Sequence, residues 1–375
     1  MTNENTLYKK LYKLNVNGST QVWEIHHNNN SYWSVSGKLD GKMTISAPTM
    51  VEPKQTRTLT EQIIFICESQ INKKKDKKYV ENIQYIHRAD DDLAGFSPQL
   101  AHKYDDQKEK IKFPCAAQRK YDGIRCLSTA SGFYSRGRKK FTSCTHIWAE
   151  LEQFFKIDPK ARLDGEFYTH EYKEDFEKIC KAVKKTSEKA TPEDIESQKM
   201  VEYHVYDAPR ISGLTEKDSF KSRQTALAKA LSNFKYIKVV ETIYDIKNES
   251  ELKTLKEQWI QENYEGIMIR NINSSYEGKR SYNLLKWKDF LDKEFVIVGI
   301  NEGAGKLAGH AGSFTFKMKN GKQFDAKLVG SIERLKYYFK NPKECIGKLA
   351  TVRFQNYTSD GLPRFPVCKS IRDYE

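Results

Sequence analysis

The sequence predicts a multidomain α+β protein, with a small N-terminal sheet and helix, a larger central α+β domain and a C-terminal β-barrel. Three observations carry this. The chain has 375 residues, more than one hydrophobic core comfortably organises. Apolar residues run first at strand spacing, then in strands that alternate with helices, then at strand spacing again. Turn-forming Gly, Pro and Asn clusters mark the changes. The expected boundaries are 1–78, a linker at 79–104, 105–290 and 291–375.

In the first segment, residues 10–16, 22–26 and 31–37 read as strands, separated by Asn17-Gly18 and Asn28-Asn29-Asn30 turns. Thr58-Leu59-Thr60-Glu61 reads as a capping box, after which Ile63, Ile64, Cys67 and Ile71 recur at helical spacing. The run Lys73-Lys74-Lys75-Asp76-Lys77-Lys78 reads as a solvated helix end that could also touch phosphate. Mixed charges with Gly95 and Pro98 suggest the linker.

In the central segment, residues 115–118 enter a turn at Lys120 as a strand, and 125–128 leave it as another. Ile147, Trp148, Leu151, Phe154 and Phe155 mark a helix, and 161–163 begin a strand expected to end in an Asp164-Gly165 turn. Beyond Asp289, residues 294–299, 313–318 and 348–354 read as strands, Asn320-Gly321 as a hairpin turn and 331–340 as a helix before Pro342. About five strands with one helix fit an OB-fold, a small barrel often used to grip nucleic acid.

A net charge of +14, from 64 Lys+Arg against 50 Asp+Glu, points to a polyanionic partner; nucleic acid, an anionic membrane or an acidic protein would each satisfy it. No apolar run is long enough to span a bilayer, and residues 1–15 lack the apolar core of a signal peptide. The expectation is a soluble intracellular protein, cytoplasmic or nuclear, of cellular or viral origin. Seven cysteines, at 67, 115, 126, 144, 180, 345 and 368, include no Cys-x-x-Cys spacing, which disfavours a disulfide framework or a structural zinc site.

The chemistry concentrates in Lys120-Tyr121-Asp122-Gly123-Ile124-Arg125. A lysine is a nucleophile only as the neutral amine, so neighbouring cations or metal must disfavour its ammonium form. Further pieces follow in order: Leu163-Asp164-Gly165-Glu166, Tyr206-Asp207, Glu265-Gly266-Ile267-Met268-Ile269-Arg270, Leu285-Lys286-Trp287-Lys288, Arg364-Phe365-Pro366 and Ile371-Arg372-Asp373. Each alone has a bland reading, since Asp-Gly is a common turn and Lys-x-Lys a common solvated strand face.

Together and in this order they resemble the covalent nucleotidyltransferases, and among these the ATP-dependent DNA ligases. The resemblance covers roughly residues 105–375 and implies an adenylyltransferase domain followed by an OB-fold. It implies that Lys120 is adenylylated by ATP, with Asp122 assembling the later nick-sealing geometry and Arg125 near the ribose. Glu166 then belongs to the ribose and metal neighbourhood, and Glu265 supports Mg²⁺ or Mn²⁺. Two carboxylates with substrate phosphates suffice for such a hard cation. Lys286 and Lys288 share one strand face and address the α-phosphate.

By the same resemblance Tyr206 stacks on the purine, a buried core tyrosine being the competing reading, and Gln118 reads the adenine edge. Ser135-Arg136-Gly137-Arg138 resembles the motif that grips a 5′-phosphate, so Arg136, Arg138 and Lys139 are candidate DNA contacts, with plain surface charge as the alternative. Arg372 and Asp373 match the residues that close over ATP in the first step. In the first segment, sheet then helix with Trp33 and Gly37-Lys38-Leu39-Asp40-Gly41 resembles the WGR domain of poly(ADP-ribose) polymerases, although the Trp-Gly-Arg triplet is not intact. That likeness implies DNA contact by residues 1–78.

The expected partner is nicked duplex DNA, bound by a monomer with no membrane attachment. An RNA ligase or a capping guanylyltransferase is the rival enzyme, and a catalytically inactive nucleic-acid scaffold the rival of another class. Leu285-Lys286-Trp287-Lys288 is ligase-like and speaks against capping. The barrel-like tail with its terminal motifs speaks against RNA ligase, and the charged residue kept in every motif speaks against a scaffold.

Overall fold

Alternating residues in the first forty positions form an antiparallel sheet because one face of each strand has a helix to cover. In the computed structural model, which describes residues 5–15, 18–53, 57–86, 93, 95–173 and 175–372, the strands are β1 (Thr6–Leu14), β2 (Thr20–His27), β3 (Ser31–Lys38), β4 (Met43–Ile45) and β5 (Thr49–Met50). They pair in the order β1-β2-β3-β4, with β5 also on β3. Helix α1 (Leu59–Lys75) starts at the expected capping box, Thr58 accepting from the Glu61 N–H and Glu61 reaching back. Its Ile63, Cys67 and Ile71 pack on Leu11, Trp23 and Ile25, whereas Ile64 points to solvent. Trp33 lies outside that cluster, its ring stacked on His26, the residue opposite it across β2 and β3. Val16 and Asn17, expected as strand end and turn, lie outside the described residues.

Parts of the stretch 79–104, expected to be a linker, are packed in the structure, while residues 87–92 and 94 lie outside the described residues. Val80 and Tyr12 exchange both backbone hydrogen bonds, which fastens the stretch after α1 to the first sheet. Leu93 and Phe96 are buried with Leu127, Tyr134 and Tyr276. Two apolar side chains in a polar stretch thus outweigh the breakers Gly95 and Pro98, which only turn the chain.

The compact central unit runs from about 91 to 289. It contains β6 (Leu100–Lys103), α2 (Tyr104–Gln107), β7 (Cys115–Lys120), β8 (Ile124–Thr129), β9 (Gly132–Ser135), β10 (Lys140–Phe141), α3 (Thr145–Ile157), β11 (Arg162–Tyr168), α4 (Phe176–Lys184) and α5 (Pro192–Lys199). There follow β12 (Glu202–Arg210), α6 (Phe220–Ala230), β13 (Ile237–Val239), β14 (Thr242–Ile246), α7 (Glu249–Gln261), β15 (Gly266–Arg270) and β16 (Arg280–Trp287). One sheet has the order β10-β9-β8-β11-β12-β13 and the other β14-β7-β15-β16-β6. Helix α3 buries Ile147, Leu151, Phe154 and Phe155 with Phe167, Tyr203 and Val205 of the first sheet. Helix α7 buries Leu252 and Trp259 with Ala117, Ile267, Ile269 and Leu285 of the second.

Asp164-Gly165 is not the expected turn; both residues lie inside β11, paired with β8 and β12. Gly165 is there for contact, since a Cβ would stand 2.5 Å from the His204 carbonyl oxygen and 2.7 Å from the Tyr203 ring. Asp-Gly marks a turn only when the backbone needs left-handed angles, and here the glycine admits a close strand.

The C-terminal part forms a closed barrel of β17 (Leu291–Glu302), β18 (Ala311–Lys317), β19 (Gln323–Leu328), β20 (Leu349–Phe354) and β21 (Val367–Ile371) in the order β17-β18-β19-β21-β20. Helix α8 (Ile332–Lys340), expected over 331–340, is capped by Ser331, and Phe314, Phe316, Val352 and Phe354 fill the interior. All seven cysteines are free, and six of them are buried. Among the described residues no helix is long and apolar enough to cross a membrane.

Candidate active site

One face of the second sheet carries most of the predicted chemistry because the strand register stacks it there. Met268 lies opposite Gln118 on one side and Lys286 on the other, and Gly266 lies opposite Lys120. Residues opposed across antiparallel strands share a face. The first sheet contributes Arg125 and Glu166, themselves opposed across β8 and β11, and Tyr206 from β12. These side chains line a cavity of about 250 Å³.

Lys120 ends β7. The Glu265 N–H donates to its carbonyl oxygen at 2.9 Å, and the Lys120 Nζ contacts Glu265 Oε2. Lys288 Nζ donates to Glu265 Oε1 at 2.6 Å, so one carboxylate spans two ammonium groups. Gly266 makes this approach possible: its φ of +147° lies outside the range that side chains favour, and a Cβ would stand 2.3 Å from the Trp287 carbonyl oxygen. Burial alone would raise the Glu265 pKa, but Lys120 and Lys288 overcome it and hold the group below the usual glutamate range.

Lys286 has no carboxylate within ion-pair distance among the described residues, and burial followed by repulsion from Lys120 and Lys288 lowers its pKa. Glu166 behaves oppositely to Glu265. Burial pushes it up to about 8 even though Lys120 and Arg125 oppose the rise. Two neighbouring glutamates, of which Glu166 lines the cavity, are therefore set apart in proton affinity, one held below and the other pushed above the usual glutamate range.

A buried layer holds these groups in place. Arg125 pairs through both nitrogens with the fully buried Asp164, which also accepts from the Tyr276 hydroxyl at 2.6 Å. Asp207 accepts from Arg223 at 2.8 and 3.0 Å and from Arg270 at 3.0 Å. The guanidinium carbons of Arg125 and Arg270 lie 5.4 and 5.9 Å from the centre of the Tyr206 ring, which is half-buried at the cavity wall. Asp164, Asp207 and Arg270 stand inside the quoted motifs without an assigned role. Arg223 and Tyr276 lie outside the motifs, and only their burial reveals them.

Gln118 departs from expectation. It is 1 % exposed, its amide donates to the Tyr206 carbonyl oxygen and to Thr242 Oγ1, and its oxygen accepts from Arg270 at 3.0 Å. A side chain so engaged supports the cavity it lines, with both amide N–H groups committed to protein acceptors. Arg138 departs too, since its guanidinium donates to the carbonyl oxygens of Leu93 at 2.7 Å and Phe96 at 3.4 Å, tying the 93–96 stretch to the domain. Arg136 is exposed at the cavity mouth and Lys139 is exposed beyond it. Asp122 is half-buried in the β7–β8 loop. Arg372 lies in the barrel just after β21, with its Nε on Glu294 at 2.7 Å. Asp373 lies outside the described residues.

A lysine at a strand end, further lysines beside it and two carboxylates of opposite tuning suit group transfer at phosphorus. Residues 98–288, just over half the chain, match the ATP dependent DNA ligase domain family. The chain belongs to the ATP-dependent DNA ligase family. Residues 302–372 match the DNA ligase OB-like domain. The chain is 33 % identical over 220 residues to a DNA ligase of African swine fever virus (isolate Tick/South Africa/Pretoriuskop Pr4/1996), covering 55 % of this chain and 49 % of the relative. It is 25 % identical over 308 residues to the DNA ligase of Enterobacteria phage T4, covering 66 % and 62 %. The chain thus spans about half the length of the first of these relatives.

Two solved structures share this ligase fold. One, from a structure–function study of Lig E DNA ligases, aligns with TM-score 0.61 at 24 % identity over 74 % of this chain and 99 % of its own. The other, Pmar-Lig_PreS3, aligns with TM-score 0.63 at 24 % identity over 74 % and 68 %. Both family matches lie beyond residue 97, so the WGR likeness of the first segment rests on its own residues.

Proposed function

We propose that this ligase-family protein seals nicks between a 5′-phosphate and a 3′-hydroxyl in duplex DNA, using ATP and a lysyl-AMP intermediate on Lys120. The observation that carries the proposal is that Lys120, which lines the cavity with Lys286, shares the Glu265 carboxylate with Lys288. In the first step Lys120 Nζ loses a proton and bonds to the α-phosphorus of ATP, while the bond from that phosphorus to the β-phosphate oxygen breaks and pyrophosphate leaves. Lys286 and Lys288 offset the charge on the transferring phosphoryl group. In the second step a 5′-phosphate oxygen attacks the same phosphorus and Lys120 departs. In the third the 3′-hydroxyl attacks the activated 5′-phosphate and AMP leaves.

The donor set suits a divalent cation that arrives with the nucleotide. Glu166 and Glu265 bear on each other electrostatically, and among the described residues no group of three or more His, Cys, Asp and Glu could bind a metal without substrate oxygens. Mg²⁺ commonly takes one or two carboxylates and completes its shell with phosphates and water. Glu166 and Glu265 would hold it, and it would supply charge compensation for the phosphates. Tyr206 would offer an aromatic face to the purine, and Arg125, held by Asp164, would lie near the ribose. The N-terminal sheet and α1, with its lysine-rich end, would add DNA contacts, and Arg372 would close over ATP.

Incubation of the full chain with α-labelled ATP or GTP tests the reading. ATP should leave label on the protein, GTP should not, and Lys120→Ala should take none. Label from GTP, or label persisting in Lys120→Ala, refutes it. Nicked duplex with a labelled 5′-phosphate should then become resistant to phosphatase.

A further inference from the structure

The central unit contains a second cavity, of about 260 Å³, that is not the one lined by Lys120. Arg162 at the start of β11 and Arg210 at the end of β12 stand on its wall, directly opposed across the antiparallel pair. Opposed like charges on a sheet are unfavourable, so the pair calls for a compensating partner. Neither guanidinium has a carboxylate within ion-pair distance among the described residues, and Arg162 Nη1 donates only to the Ala161 carbonyl oxygen at 3.2 Å. Glu216, on the same wall, is exposed and paired with neither. Burial, and then the proximity of Arg210, lowers the Arg162 pKa below the usual arginine range.

Among the described residues of this unit, several buried or half-buried cations are matched, whereas Lys286 at the first cavity is not. Arg125 has Asp164, Arg223 and Arg270 have Asp207, and Lys256 has Asp289. The arginine pair is unmatched away from the Lys120 cavity, and it lines a concavity of its own. Gly95 and Gly278 leave the wall low, Ser97 offers a hydroxyl, and the Tyr276 ring separates the cavity from the Asp164–Arg125 pair. The volume is several times the ~30 Å³ share of one water.

We propose that the Arg162–Arg210 cavity binds a phosphate group, gripped between the two guanidinium forks. Planar, permanently charged forks suit phosphate because each can offer two parallel N–H donors. The phosphate comes either from the DNA backbone or from free pyrophosphate. The DNA source rests on the ligase reading, whereas the cavity itself does not.

The test compares the full chain with Arg162→Gln/Arg210→Gln, and with Arg162→Lys/Arg210→Lys as a charge-preserving control. Self-adenylylation by ATP, measured on each preparation, reports folding and keeps failure of the ligase reading distinct from failure of the cavity. Removing repulsion should leave the Gln variant at least as heat-stable as the parent. If DNA supplies the phosphate, affinity for nicked duplex should fall and the slope of log K against log salt should flatten by about 0.9 for one lost contact. The Lys variant should keep most of the slope. If pyrophosphate is the ligand, it should raise the melting temperature of the parent and Lys variant but not of the Gln variant, with DNA binding equal. Equal DNA slopes together with equal pyrophosphate shifts in parent and Gln variant overturn the proposal. Should the Gln variant fail to fold, neutralisation of Arg210 alone, which is exposed, gives the same readouts and the same refuting outcome.

Discussion

Replacing Glu166 with Gln should make the nucleotide-free protein more stable at alkaline pH and leave it unchanged at acid pH. Burial pushes the Glu166 carboxyl up to about 8, against an ordinary glutamate near 4.5. Between those values the folded chain holds a proton that the unfolded chain has released, so this group's contribution to stability falls as pH rises through the window and is flat on either side. Each pH unit is worth about 1.4 kcal/mol, so the full window is worth at most about 5 kcal/mol. Water in the cavity screens part of that, leaving about 2 kcal/mol. Glutamine has the same shape and never ionises. At pH 8.5 Glu166→Gln should therefore melt on the order of 5 °C above the parent, and at pH 5 the two should nearly coincide. Glu265, held below the usual range by Lys120 and Lys288, adds stability that is lost only as pH falls toward the acid limb, so the two windows do not overlap. Thermal melts at fixed ionic strength from pH 5 to 9 make the comparison. Parallel curves across pH 6 to 8.5 would mean that Glu166 is already ionised in the empty site, and the burial argument would be wrong.

Asp207→Asn should cost about 3–5 kcal/mol, because it strips charge from a buried partner of Arg223 and Arg270; denaturant melts showing under 1 kcal/mol would contradict the pairing. Arg372→Ala should react poorly with ATP yet still seal a nick supplied with AMP already on its 5′-phosphate, and equal loss in both assays would remove it from the nucleotide step. Deleting residues 1–86 should preserve adenylylation and weaken nick binding with a shallower salt slope, whereas deleting 1–104 should also lower the melting temperature by removing β6 and the Leu93–Phe96 packing. Identical melts for the two truncations would show that 93–104 is the linker after all.

Much of the fold was legible from local rules. The Thr58 and Ser331 caps, the buried face of α3, the Asn320-Gly321 turn and the strand-rich tail each depend on residues a few positions apart, where propensity and periodicity act. The order of the motifs also sufficed to indicate the family. Other features follow from contacts between distant positions. Gly165 is a site of close strand approach because the His204 carbonyl oxygen comes close to it, and Leu93 and residues 95–104 are placed by Tyr134, Tyr276 and β16.

The same division runs through the site. Sequence alone singled out Lys120, Glu166, Glu265, Lys286 and Lys288, since their chemistry is carried by residue type and by place in a motif. Only the tertiary structure decided that Glu265 spans two lysines while Glu166 faces the cavity with its proton held, although both are glutamates in similar motifs. It likewise decided that Gln118 and Arg138 are engaged in support and that Arg162 and Arg210 confront each other with no carboxylate in ion-pair distance among the described residues. The physical reason is that charge state and hydrogen-bond availability depend on burial and on which groups come within a few ångströms. Those neighbours are brought together by register between strands that lie tens of residues apart in the chain.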